Sequence, residues 1–420
     1  MPRALSKVEQ AFWLLDRSTS FNGVNTSFLK GPIAVVELRR ALEWVQARHE
    51  LLRVAIRGTD FVTVNAPVPL RVVKRASDDT WQACEREEIN QRYEEGELLW
   101  RAVWVEGEGQ GELLISHQHV ICDAQSAVIM AREIVAALGA LTDGKTPPPP
   151  VPLEMKPAMT DLLGAGFGEK MLAMNAFFFR NLVFHGARPA RKLATSAPFQ
   201  QRKLAIAHLD LDEKATAALA ARSKREETTV QGALCAAMLL AAADVLDLQK
   251  RAWLGCFSAV SLHERLGIRE DMGLYISQLT TFHQVARSTE LWPLAREVKR
   301  DLARALEMGE QLVTIPMIGM FIPRGKDPAP RFAEKFDLAS PATLGLSNIG
   351  RVELPRAVGP VSLERFHLAV GPSVVAPLAA CAATVHGQLH LSLVYVEPMI
   401  TRARAEELVG GTRKHLEDAQ

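Results

Sequence analysis

The sequence carries almost no net charge: 49 Lys and Arg stand against 48 Asp and Glu, leaving +1. A surface that tracks nucleic-acid phosphates needs a basic excess, so polyanions are excluded as the default partner. Cysteine is scarce and scattered. Cys84, Cys122, Cys235, Cys256 and Cys381 form an odd set without a CxxC pair, which argues against a disulfide framework and for a reducing compartment. No secretory leader is expected at the start either: "MPRALSKVEQAFWLL" puts Glu9 and Gln10 where a leader needs an unbroken apolar run. The stretch reads as a first amphipathic helix, and the expected location is the cytoplasm. The aromatic stretch "MLAMNAFFFRNLVF" (Met171–Phe184) is short of the roughly 20 apolar residues that span a bilayer, and Asn175, Arg180 and Asn181 interrupt it. It reads as a helix at a domain junction, with a peripheral lipid contact as the alternative. Finally, no glycine-rich phosphate loop is evident, so no nucleotide is implied.

What is present is a globular composition, 48% hydrophobic and 23% charged over 420 residues, enough for two domains. Helix and strand periods alternate. "VVELRRALEWVQARHE" is spaced as a helix, while "LLRVAI", "LWRAVWVEG" and "ELLISHQH" read as strands. "KTPPPPVPLE" (Lys145–Glu154) cannot sit in a helix or a central strand and closes a first unit, residues 1–150. A junction over 151–200 leads to a second αβ unit, 201–420. It opens with strand "KLAIAHLDL", helix "DEKATAALAARSK" and helix "TTVQGALCAAMLLAAADVL", capped by Thr228 or Thr229. Later strand-like stretches include "AWLGCFSAVSL", "YISQLTTFHQV", "ATLGLSNIG", "VSLERFHLAV" and "QLHLSLVYV", and "RARAEELVGGTRKHLE" ends the chain as a helix.

The chemistry concentrates in "ELLISHQHVICDAQSAVIMAREI" (Glu112–Ile134), where an apolar strand ends in two histidines and Asp123 stands at the N-cap of a helix. A binuclear metal site of the HxHxDH type fails here, because Ile121 and Cys122 occupy the places of its next acid and histidine. Two readings remain: a structural strand end with Asp123 as a cap, or a general base. A histidine fixed in one tautomer at a strand end can take a proton from a hydroxyl or amine. Asp123 need not touch it. Its work would be to anchor the turn by capping the helix and pairing with a cation. Cys122 has no cationic neighbour in sequence and reads as packing.

"HQHVICDA" resembles the HHxxxDG motif of the condensation-domain and chloramphenicol-acetyltransferase-like superfamily, which includes freestanding polyketide-associated acyltransferases and alcohol acetyltransferases. Four further stretches agree in order. "LSKVEQAFWLL" is similar to the opening helix, "ARHELLRVAI" to the RHxxLR motif, "MGLYISQL" to the GxFxN segment and "LSNIGRV" to the SNxG stretch. The resemblance implies an α/β (α+β) fold of two chloramphenicol-acetyltransferase-like domains forming a V-shaped pseudo-dimer with a central tunnel. It further implies direct acyl transfer from a thioester, on coenzyme A or an acyl carrier protein, to a hydroxyl or amine. His119 is then the catalytic histidine and Asp123 the structural aspartate, with no permanently bound cofactor and no metal.

Gln118 and Ala124 depart from the motif, replacing its first histidine and its glycine. Relatives carry an arginine that pairs with the motif aspartate. In "AVSLHERLG" the aligned place is His263, and Arg265, two residues on along a continuing strand, is expected to be the partner. Ser347 and Asn348 are candidates for orienting the acceptor or the oxyanion, the alternative being a turn before Gly350. Arg48, His49 and Arg53 are expected to serve the fold. The basic group Arg180, Arg188, Arg191 and Lys192 reads as a solvated linker or a contact for coenzyme A phosphates or an acidic carrier protein. The expected function is an acyltransferase of specialised metabolites or lipids. An amide-forming or cyclising condensation catalyst and a non-catalytic carrier-protein docking module are the alternatives.

Overall fold

The computed structural model describes residues 3–164, 174, 190–324, 327–372 and 374–418. Its strands are β1 (Gly23–Lys30), β2 (Val54–Arg57), β3 (Asp60–Thr63), β4 (Leu70–Lys74), β5 (Trp100–Gly107), β6 (Gln110–His117) and β7 (Lys203–Leu211). They continue with β8 (Ala252–Ser261), β9 (Ile276–Val285), β10 (Leu344–Arg351), β11 (Ala357–Val358), β12 (Val361–Val370), β13 (Leu378–Val385) and β14 (Gln388–Glu397). Two six-stranded mixed sheets result, ordered β11-β12-β1-β6-β5-β4 and β7-β14-β13-β10-β8-β9, with β2-β3 as a separate hairpin. This is the mixed α/β, two-sheet architecture expected from the sequence.

The helices form where the sequence places their stop and start signals. The helix α1 (Lys7–Ser18) begins in a capping box in which Ser6 and Glu9 each satisfy the other's backbone N–H. The helix α2 (Val35–Arg48) and α3 (Thr80–Asn90) cover opposite faces of the first sheet. The helix α4 (Ala124–Thr142) is capped by Asp123, whose carboxylate accepts the Ser126 N–H. The helix Val230–Val245 is capped by Thr229, so of the two candidate caps it is the second that works. Among the described residues α4 is the one single helix long and apolar enough to cross a bilayer, but 67% of that stretch is buried inside the protein, as in a core helix.

One core packs α2 and α4 on the first sheet around Leu38, Leu42, Trp100 and Met130. A second packs the helix Val230–Val245 on the second sheet with Leu239, Leu254 and Leu391. A third joins the two sheets: Val24, Phe28, Trp81 and Leu114 from one side meet Leu204, Val394 and Val396 from the other. The sheets do not follow the division of the chain at 150 and 200. β11 and β12, from the C-terminal part, complete the first sheet, with β12 antiparallel to β1 and His367 opposite Thr26. Periodicity could not show this, because strand pairing is set by partners far apart in sequence. Met171–Phe184, with Arg180 and Arg188, lies outside the described residues except at 174.

Candidate active site

Strand β6 ends at His117, between β1 and β5. The chain then turns. Gln118 is fully buried and fixes the turn through three bonds: its N–H donates to Leu99 O (2.8 Å), its Oε1 accepts the Val120 N–H (2.6 Å) and its carbonyl accepts the Ile121 N–H (3.2 Å). A second histidine at this place is therefore not needed to hold the turn. Ala124 is the first residue of α4 and is not among the residues with positive φ, so the missing motif glycine brings no backbone strain.

His119 emerges from this turn. Its Nδ1 donates to the Cys122 carbonyl (3.0 Å), which leaves Nε2 as the lone-pair nitrogen, without a hydrogen-bond partner among the described residues. The ring is packed by Phe12 (edge-on, centroids 5.3 Å apart) and Phe21 (5.9 Å). Burial pushes its pKa below the usual value of 6.5, so the imidazole is neutral, in the form that accepts a proton. His117 is buried deeper, packs against the Cα of Gly23, and is pushed by burial to about 3. It is a core residue.

The ring of His119 lines a cavity of about 110 Å³ between the two sheets. One wall is apolar, formed by Val8, Phe12 and Phe21 from the N-terminal part. The opposite wall brings Phe257 of β8, Ile276 of β9 and Cys381 of β13. Such a low-dielectric site strengthens any hydrogen bond made to a developing charge. Ser347 also lines the cavity, and its hydroxyl makes no side-chain hydrogen bond among the described residues. Asn348 does not: its Oδ1 accepts the Gly350 N–H (2.9 Å), the local turn that was the alternative reading. Only Ser347 of the pair is brought to His119. Cys122 is fully buried, and burial pushes its thiol well up, so it is inert.

Asp123 makes no hydrogen bond to His119 among the described residues. Its carboxylate accepts the Ser126 N–H (2.9 Å), the Tyr275 N–H (2.9 Å) and His263 Nε2 (2.9 Å to Oδ2, 3.1 Å to Oδ1). Burial pushes the carboxyl up, but His263 and the two N–H donors outweigh it and hold the pKa below the usual value. The partner of Asp123 is thus His263, not Arg265. Strand β8 ends at Ser261 and a one-turn helix, His263–Leu266, follows, which points His263 inward and leaves Arg265 exposed. The expectation of Arg265 assumed a continuing strand.

The stretch "MGLYISQL" docks here. Gly273 O accepts the Asp123 N–H (3.0 Å) and bonds with Ser126 Oγ (3.1 Å), so this segment and the cap of α4 lock together. Arg48 pairs with Glu133 of α4 (2.9 Å) and Glu270 (2.7 Å), and His49 Nε2 with Glu133 (2.7 Å), fixing α2, α4 and the loop beyond β8. Of the linker cations, the Arg191 backbone pairs with Trp253, and Lys192 bonds the Ser340 carbonyl.

The fold is shared with solved condensation domains and with a polyketide-synthase-associated protein, and part of the chain matches a transferase family model. Residues 200–404 match the family described as phthiocerol/phthiodiolone dimycocerosyl transferase C-terminus. The polyketide synthase associated protein 5 of Mycobacterium tuberculosis has the same fold, with a TM-score of 0.69 and 15% identity over 100% of this chain and 99% of that one. The condensation domain of the monacolin K polyketide synthase MokA gives 0.69 and 14%, covering 100% and 97%. A probable non-canonical nonribosomal peptide synthetase, CymA, of Salinispora arenicola is 33% identical over 168 residues, 36% of this chain. The match spans 2% of that relative's length.

Proposed function

We propose that the protein is an acyltransferase that moves an acyl group directly from a thioester to a hydroxyl or amine. The single observation that carries this reading is His119: neutral, held through Nδ1, and presenting an unpartnered Nε2 to an apolar cavity built from both sheets. Nε2 accepts the proton of the acceptor as its oxygen or nitrogen attacks the thioester carbonyl. The tetrahedral oxyanion receives a hydrogen bond from a donor such as Ser347. The C–S bond then breaks, and the imidazolium returns its proton to the departing thiolate. Asp123 sets the position of His119 without touching it. The acyl donor is coenzyme A or a phosphopantetheinyl carrier protein, and the acceptor a specialised metabolite or lipid. Five free, buried cysteines support a reducing, cytoplasmic setting.

The test is thiol release from acyl-coenzyme A donors and a loaded acyl carrier protein, with alcohols and amines as acceptors, for the natural protein and His119→Ala. Loss of a general base costs about 10²- to 10⁴-fold in rate. A fall of that size in a folded variant supports the reading, and the preferred acceptor separates ester from amide formation. Equal rates in both proteins would remove His119 from the chemistry.

A further inference from the structure

A second set of titratable side chains lies between the sheets, apart from the cavity. Asp210 of β7 and His390 of β14 are cross-strand neighbours in the second sheet, and His367 of β12 faces them from the first. His390 Nδ1 hydrogen-bonds Asp210 Oδ1 at 2.9 Å, and His367 Nε2 lies 3.6 Å from the same oxygen; an ion bound there would displace the His390 Nδ1 proton to its unpartnered Nε2. One ligand atom from each of the three falls within 4.8 Å of the others. Both histidines are almost wholly buried, at 1% and 2% exposure.

The tautomers follow from the next partners outward. The buried Glu85 carboxylate can only accept, so His208 Nε2 donates to it (2.9 Å) and His208 Nδ1 is an acceptor. His367 Nδ1 therefore donates to His208 Nδ1 (3.0 Å). That leaves a lone pair on His367 Nε2, a buried atom without a hydrogen-bond partner, directed at a carboxylate oxygen that also only accepts. The lone pair of His367 Nε2 thus faces a carboxylate that supplies it no proton, an arrangement a bound cation would satisfy. Arg365 does not supply it: its Nη1 reaches the other oxygen, Oδ2, at 3.7 Å, from a position stacked on Phe28.

We propose that His367, His390 and Asp210 bind a divalent first-row transition ion of the zinc type. Two imidazole nitrogens and one carboxylate oxygen suit zinc, cobalt(II) or nickel(II), and disfavour magnesium and calcium, which take oxygen ligands. The chain from His367 through His208 to Glu85 is the outer hydrogen bonding that fixes a ligating histidine in the right tautomer. The ion joins strand β12 of one sheet to β7 and β14 of the other, and its role is to tie the sheets together.

The test uses the full chain stripped with chelator and given zinc or cobalt chloride. One equivalent of metal is expected to survive desalting, with cobalt giving the visible absorption of a nitrogen and oxygen site and a raised Tm. X-ray absorption of the bound metal counts two imidazoles. That distinguishes this site from His283, Glu297 and Asp301, which offer one. Asp210→Asn and His390→Gln lose the equivalent, whereas Glu297→Gln and His119→Ala keep it. No retained metal in the natural protein, fewer than two imidazoles, or full binding by the folded Asp210→Asn variant overturns the proposal. None of these readings depends on catalytic turnover.

Discussion

At the scale of single residues, the environment of His119 predicts a pH profile. Its pKa is lowered by burial, so the free base persists below pH 6.5 and kcat/KM should stay level until the pH falls beneath that value. Below the lowered pKa the ring is protonated and the rate falls. Asp16, pushed by burial to about 6, also titrates nearby, and its carboxylate accepts the N–H of Phe21, which packs on His119. An Asp16→Asn variant should keep the acid limb. A limb at or above pH 6.5, or one abolished in Asp16→Asn, would contradict the assignment to His119. The Asp123 network makes a second prediction. His263→Ala leaves a buried carboxylate short of a donor and should cost about 1–3 kcal/mol. Arg265→Ala, exposed, should stay within about 0.5 kcal/mol. Urea denaturation of both variants decides, and equal losses would return Arg265 as the partner. Because the folded-state pKa of Asp123 is depressed, its contribution is present above about pH 4 and is lost as the pH falls through the lower folded value.

At the scale of elements, much was legible. The alternation in "ELLISHQH" and the cap at Asp123 place β6, the turn and α4 to within two residues, His119 falling in the turn and not on the strand, because period and capping are local properties. His263 shows the limit. The apolar spacing of "AVSL" did not reveal that the strand stops at Ser261, and the tertiary bond to Asp123 decides which way the next turn faces. Phe12 was equally hidden, because a helix pattern says which face is buried but not that it meets an imidazole. Close approach between strands was hidden too. A Cβ on Gly345 of β10 would lie 2.0 Å from the ring of Phe257 on neighbouring β8, and that ring lines the cavity. Gly345→Ala must therefore displace Phe257 or strain the sheet, at a cost of about 1–3 kcal/mol. Turnover with the bulkiest substrates should fall more than with the smallest, measured as kcat/KM across a graded series. A uniform fall would mean that the ring moves away from the cavity.

At the scale of the whole molecule, the two halves are interlocked in more than one place. Residues 1–150 carry β1, whose seven residues Gly23–Leu29 are buried and which is paired on one side by β6 and on the other by β12 from the far end of the chain. Removing β12 exposes Val24, Phe28 and an unpaired row of backbone groups, an edge of the kind that aggregates. The cap of α4 loses Tyr275, His263 and Gly273 at the same time. A fragment of residues 1–150 should therefore fail to give the dispersed amide spectrum of a folded domain and should aggregate. A fragment extending from residue 151 should likewise lack β1, which among the described strands leaves β12 paired with the two-residue β11 alone. Co-expression of the two pieces is expected to restore a soluble, associated pair, because the contacts that each half lacks are those the other supplies. If residues 1–150 instead fold alone with cooperative unfolding, the first sheet tolerates an open edge at β1. The pairing with β12 would then be a docking contact between two independent domains and not part of the fold of the first.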